Sequence, residues 1–175
     1  MMNKDENNNA ENDNFIQQKH QVQSACKTAL RRICGKLSKQ EKELIEAKKY
    51  IIYQQWADTL ISNPNIVARG ATECLVENIH TNEVESIPLN SKFDVIRNAQ
   101  LYYKKSKKGK RGLEIITQKI NDTLKEKNEL ELLITECEAI KSTNIIENDM
   151  VSHLNAIKSR LPGYGIILPT GHSAA

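Results

Sequence analysis

Six of the eight residues in "KKSKKGKR", Lys104 to Arg111, are basic, and Tyr102 and Tyr103 stand directly before them. Side chains of this kind break no bonds; they neutralise polyanions. Lysines and arginines release counterions as they meet phosphates, and a neighbouring tyrosine offers a face on which a base can stack. Like charges at helical spacing repel by a few tenths of a kcal/mol per pair. A run of one sign therefore needs a use, and a nucleic acid supplies one. Lys104, Lys105, Lys107, Lys108, Lys110 and Arg111, with Tyr102, form the candidate nucleic-acid site. At least one of the two tyrosines is expected to be core instead. The competing readings are an inert solvated face and a site for an acidic protein or lipid surface.

No other chemistry stands out. The sequence has no Gly-rich phosphate loop, no nucleophile elbow and no carboxylate pair in an apolar setting, so no enzyme activity and no cofactor are expected. Cys26, Cys34, Cys74 and Cys137 form no CxxC pair, and the four histidines lie at no metal-ligand spacing from them, so no metal is expected. Cys26 and Cys137 occupy apolar helical positions, where a thiol behaves as a small hydrophobe. No run approaches the roughly 20 apolar residues of a membrane span. "MMNKDENNNAENDNF" lacks the apolar centre of a signal peptide. A cytoplasmic protein is expected.

The elements that would position the basic run follow from periodicity. With 27% charged and 5% aromatic residues, the composition suits long helices that bury a narrow stripe. Residues 1–14 read as a disordered tail. Over 15–62, apolar or small residues recur at Val22, Cys26, Ala29, Ile33, Leu37, Leu44, Ala47 and Ile51, with Gln40 filling a missing beat. That is a heptad stripe, ended by Asn63-Pro64. Residues 63–92 change period. β-branched segments at 72–79 and 84–89 flank "HTNE", where Asn82 suits a left-handed turn, and Pro88 marks an edge.

Helical spacing returns over 93–142, from Phe93 and Ile96 through Ala99, Tyr103, Leu113, Ile116, Ile120, Leu124, Leu130, Ile134 and Cys137, with Ser91 and Asp94 as a capping-box variant. Gly109 and Gly112 interrupt this helix, each weakening it by about 1 kcal/mol relative to alanine. They predict a kink and a poorly protected stretch at 104–112. A short terminal helix falls within 143–165, and 166–175 is a second tail. The fold class is mainly α. A long antiparallel coiled-coil hairpin, roughly 70 Å long at 1.5 Å per residue, carries a small β-hairpin tip between its two long helices and a short C-terminal helix. Because each stripe is used within the chain, a monomer is expected.

Charge follows the same partition. Residues 92–112 hold eight basic residues and one acid, whereas 64–91 hold four acids and one arginine. Antiparallel pairing would set 104–111 opposite about 44–51, adding Lys48 and Lys49 to the basic belt.

The block "IPLNSKFDVIRNAQLYYKKSKKGKR" resembles a stretch of the NFACT family of ribosome-associated quality control proteins. It matches at Ile87, Pro88, Leu89, Asn98, Ala99, Gln100, Tyr102, Tyr103, Lys104, Lys105, Lys108 and Lys110. "YIIYQQWADTLISN" and "MVSHLNAIKSRLPGYG" extend the likeness in the same order over about 15–165, the family's middle coiled-coil module. The sequence departs from the pattern at Asn90, where an aspartate is usual, at Asn82, where a turn glycine is usual, and at Gly109 and Gly112. The resemblance implies a non-catalytic module that docks on the large ribosomal subunit, on ribosomal RNA or a stalk-base protein, with tRNA as a further partner of the family. The alternative is a structural or adhesive coiled coil of the fibronectin-binding type with no RNA role.

Overall fold

The computed structural model describes residues 4–140 and 147–169. Their element order is α1 (Lys4–Lys48), α2 (Tyr50–Ser62), β1 (Glu73–Glu77), β2 (Val84–Pro88), α3 (Val95–Ala139) and α4 (Glu147–Arg160), closed by a 3₁₀ turn, Leu161–Tyr164. The mainly α class expected from periodicity is what forms: two long helical segments, a two-stranded antiparallel sheet between them and a short C-terminal helix. Helix α1 starts before the expected residue 15, and α3 ends at Ala139. Residues 143–146 of the expected terminal segment and 170–175 of the second tail lie outside the described residues.

The chain forms two compact units, one of residues 1–38 and 121–175, the other of 39–120. In the first, α1 and α3 pair antiparallel, as Lys27–Glu138 and Lys36–Glu126 show. Val22, Cys26, Ala29 and Ile33 meet Leu130, Leu133 and Cys137, and α4 covers the seam with Leu154 and Ile157. The heptad stripe is therefore a core of three helices here. Burial pushes the Cys26 and Cys137 thiols up, which keeps them protonated and unreactive.

In the second unit the first helical segment breaks at Lys49. Its N–H donates to the Glu46 carbonyl at 3.1 Å, a tightened turn rather than an α-helical bond. The break resets the stripe. Ile51, an expected core position, is 52% exposed, while Ala57 and Leu60 turn inward with Tyr53 and Trp56 beside them. On α3, Val95, Ala99 and Tyr102 face this core, and the expected Ile96 points out. Residues β1 and β2 pair from Glu73–Pro88 to Glu77–Val84, placing Cys74, Val76 and Ile87 beneath. Asn82 takes the expected left-handed conformation, with φ 58°.

Helix α3 continues unbroken through both glycines. The reason for a glycine at 109 is close packing. A β-carbon there would lie 2.9 Å from the Ala47 carbonyl oxygen and 2.9 Å from the Tyr50 β-carbon. One turn earlier, the buried Ser106 hydroxyl donates to the Tyr50 carbonyl at 2.8 Å. Small residues at 106 and 109 thus let the two backbones meet where the first segment breaks.

The start of α3 is tied to the strand that precedes it. Asp94 caps the helix by accepting the Arg97 N–H at 2.7 Å, and it does so without Ser91. Asn98, 3% exposed, accepts the Asn90 N–H at 2.7 Å and donates to the carbonyls of Asn90, Phe93 and Asp94. The "IPLN" and "NAQ" stretches of sequence are thereby one structural unit. Asn98→Ala is expected to destabilise the second unit by about 1–3 kcal/mol, because it removes the buried side chain whose hydrogen bonds tie Asn90 to the start of α3. Urea unfolding followed through Trp56, the only tryptophan, measures this.

Candidate nucleic-acid interface

The packed face of α3 fixes where its cations point. With Tyr102, Ser106 and Gly109 turned inward and about 100° per residue, Lys104, Lys107, Lys108 and Arg111 share an outward arc of about 100°. All four are exposed. Gln100 and Ile115 continue the stripe at its ends, and with Tyr103 and Gly112 these residues line an open groove of about 680 Å³. A second groove, of about 580 Å³, runs between α3 and the exit of β2, past Pro88, Leu89 and Asn90. Lys104 and Lys108 line both, so they form a cationic ridge between two depressions.

Among the described residues, Lys104, Lys107, Lys108, Lys110 and Arg111 form no ion pair with an acid. The remaining predicted residues differ in setting. The Lys105 ammonium lies 5.5 Å from the Tyr53 ring centre and 5.4 Å from that of Tyr102, a cation–π contact that anchors it to the core. Lys110 is exposed at the flank of the arc. Lys48 is exposed, on the segment that Gly109 packs against. Lys49 is matched by Glu46 at 2.7 Å, and that hydrogen bond holds its ammonium above its ordinary pKa.

Tyr102 is a core residue. It is 8% exposed, stacks on Tyr53 at 5.7 Å, meets Trp56 edge-on at 5.2 Å and donates its hydroxyl to the Pro88 carbonyl. Its ring has no free face for a base, which corrects the stacking role assigned from the sequence. Tyr103, at the groove wall, donates to Asp58 Oδ1, and Asp58 Oδ2 lies 2.8 Å from His80 Nε2 in the hairpin turn. Sequence reasoning missed this network because residues 58, 80 and 103 share no period. It named Gln100 within the family block without assigning it to the site, although its position four residues before Lys104 was the available signal.

Both phenols are pushed up to about 12, Tyr102 chiefly by burial and Tyr103 chiefly by its hydrogen bond to Asp58. The folded unit thus holds these protons more tightly than an unfolded chain, in which they leave near 10. The resulting stabilisation is complete below pH 10 and is lost as pH rises through about 12. Thermal unfolding scans across that window should show a falling melting point. Tyr103→Phe, which has no proton to lose, should flatten part of the slope.

The geometry defines a class: a helical module with a small β-hairpin, whose long helix presents a cationic face that no acid pairs among the described residues. Among the described residues, no group of three or more His, Cys, Asp or Glu side chains could hold a metal ion, and no helix is long and apolar enough to cross a membrane. The family model for NFACT N-terminal and middle domains matches residues 7–162, and the chain belongs to that family. Among its curated relatives are the Rqc2 homologs RqcH of Streptococcus pneumoniae strains D39 and R6. Each is 28% identical over 116 residues, 66% of this chain and 21% of the relative. The matched stretch is thus about a fifth of those proteins' length.

Proposed function

We propose that this chain is a non-catalytic docking module of ribosome-associated quality control. It contacts RNA of the large ribosomal subunit through the arc Lys104–Lys107–Lys108–Arg111, in the cytoplasm and as a monomer. The observation that supports this most is that, among the described residues, none of the four like charges held on one exposed face forms an ion pair with an acid. Surface charge that serves only solubility is usually interspersed with the opposite sign, whereas phosphate-binding surfaces concentrate it. Membership of the NFACT family, and similarity to proteins named as Rqc2 homologs, supplies the ribosomal setting. Handling of tRNA belongs to the same reading as a further contact.

Co-sedimentation of the full chain with purified large subunits tests the proposal. Retention at low salt that declines steeply as salt rises is expected. Failure to co-sediment at any salt, with tight binding to immobilised fibronectin instead, would replace it with an adhesive role.

A further inference from the structure

We infer that the basic face of α3 recognises the phosphate ribbon of double-helical RNA and discriminates against single strands. This rests on the reading of that face as an RNA contact and adds the class of RNA it takes. Two observations carry it.

The first is the state of the aromatic rings. A single-strand site indifferent to sequence gains roughly 1–3 kcal/mol per base by stacking on exposed rings. Here the rings of Tyr102 and Tyr53 beside the cations are already engaged. Tyr102 is 8% exposed and packed between Tyr53 and Trp56. Lys105 caps the faces of Tyr53 and Tyr102. Tyr103 is half-buried with its hydroxyl held by Asp58. The surface offers charge and shape, and among these rings only Tyr103, fixed through its hydroxyl, is partly open to the groove.

The second is charge spacing. Lys104 and Arg111 are seven residues apart, roughly 10.5 Å along the helix axis. A nucleic-acid single strand presents about one charge per 3.4 Å and a duplex about one per 1.7 Å. Over that length a single strand offers about three phosphates and a duplex about six. Four cations outnumber the first, so a single strand leaves one without a phosphate, whereas a duplex supplies a phosphate for each. Double-stranded RNA is read mainly by shape and backbone, so little dependence on sequence follows.

The test titrates the full chain with an RNA duplex of about 16 base pairs, with each of its separate strands, and with a scrambled duplex. The duplex should bind at least about tenfold more tightly than either strand, and the scrambled duplex equally well. The combined Lys104→Gln, Lys107→Gln, Lys108→Gln and Arg111→Gln variant should lose that preference while its Trp56 fluorescence stays native. A single strand bound as tightly as the duplex would overturn this inference and leave the RNA-contact reading standing. If neither RNA binds and the variant matches the wild type on large subunits, both readings fall.

Discussion

Gly109→Ala is expected to destabilise the second unit by about 1–2 kcal/mol, while Gly112→Ala stabilises it by up to about 1 kcal/mol. Intrinsic helix propensity favours alanine by about 1 kcal/mol at both sites, so any difference between them reports tertiary packing. At Gly112 nothing lies within 4 Å of the added carbon, and the propensity gain should be realised in full. At Gly109 the new β-carbon meets the Ala47 carbonyl oxygen and the Tyr50 β-carbon, each at 2.9 Å. Those are backbone and near-backbone atoms that no rotamer change can remove. The two segments must separate, and overpacking of this kind costs about 1–3 kcal/mol. Separation would also lengthen the Ser106 hydrogen bond to the Tyr50 carbonyl. Urea unfolding followed by Trp56 fluorescence reads both variants in the same unit. Equal stabilisation by the two alanines would show that Gly109 is not a close-approach residue.

These two glycines also mark what the sequence can and cannot disclose. Their weakening of α3 was legible, because propensity is a local property. That one of them serves as a contact was not, because the break at Lys49 that brings Ala47 and Tyr50 against it leaves no mark in composition or period. The same break explains why Ile51 continues the stripe on paper yet faces solvent. The long helices, the hairpin and the left-handed Asn82 were readable, since each rests on residues close in sequence. So was the concentration of charge. Tyr102 was ambiguous for a physical reason: a tyrosine before a lysine run suits either a stacking site or a core, and only the positions of Tyr53, Trp56 and Pro88 decide. Asn98 has a polar side chain within a helical pattern, and its four hydrogen bonds depend on a loop whose course periodicity does not specify.

Neutralising Lys104, Lys107, Lys108 and Arg111 with glutamine is expected to have opposite effects on binding and on stability. Four phosphate contacts give a salt slope of about −3.6, so wild-type affinity for the large subunit should fall about a hundredfold between 50 and 200 mM salt. The variant should bind far more weakly at 50 mM and show almost no further decline. Its stability should rise, because the neighbours at spacings of three and four, such as Lys104 with Lys108 and Lys107 with Arg111, repel by a few tenths of a kcal/mol each. A face that sacrifices stability for charge is what a functional surface predicts. Binding assays at several salt concentrations and thermal unfolding of the same preparations measure the two effects together.

Site-specific photocrosslinking tests the central claim most directly. A photoreactive residue is placed at Lys107, on the basic arc, or at Leu132, which is 61% exposed elsewhere on α3. Each protein is bound to large ribosomal subunits and irradiated. Crosslinks from position 107 to ribosomal RNA, suppressed by high salt and well above the yield from position 132, are the predicted result. Crosslinks from 107 to ribosomal protein alone, or RNA yields no greater than those from 132, would contradict the assignment of this face as the RNA contact.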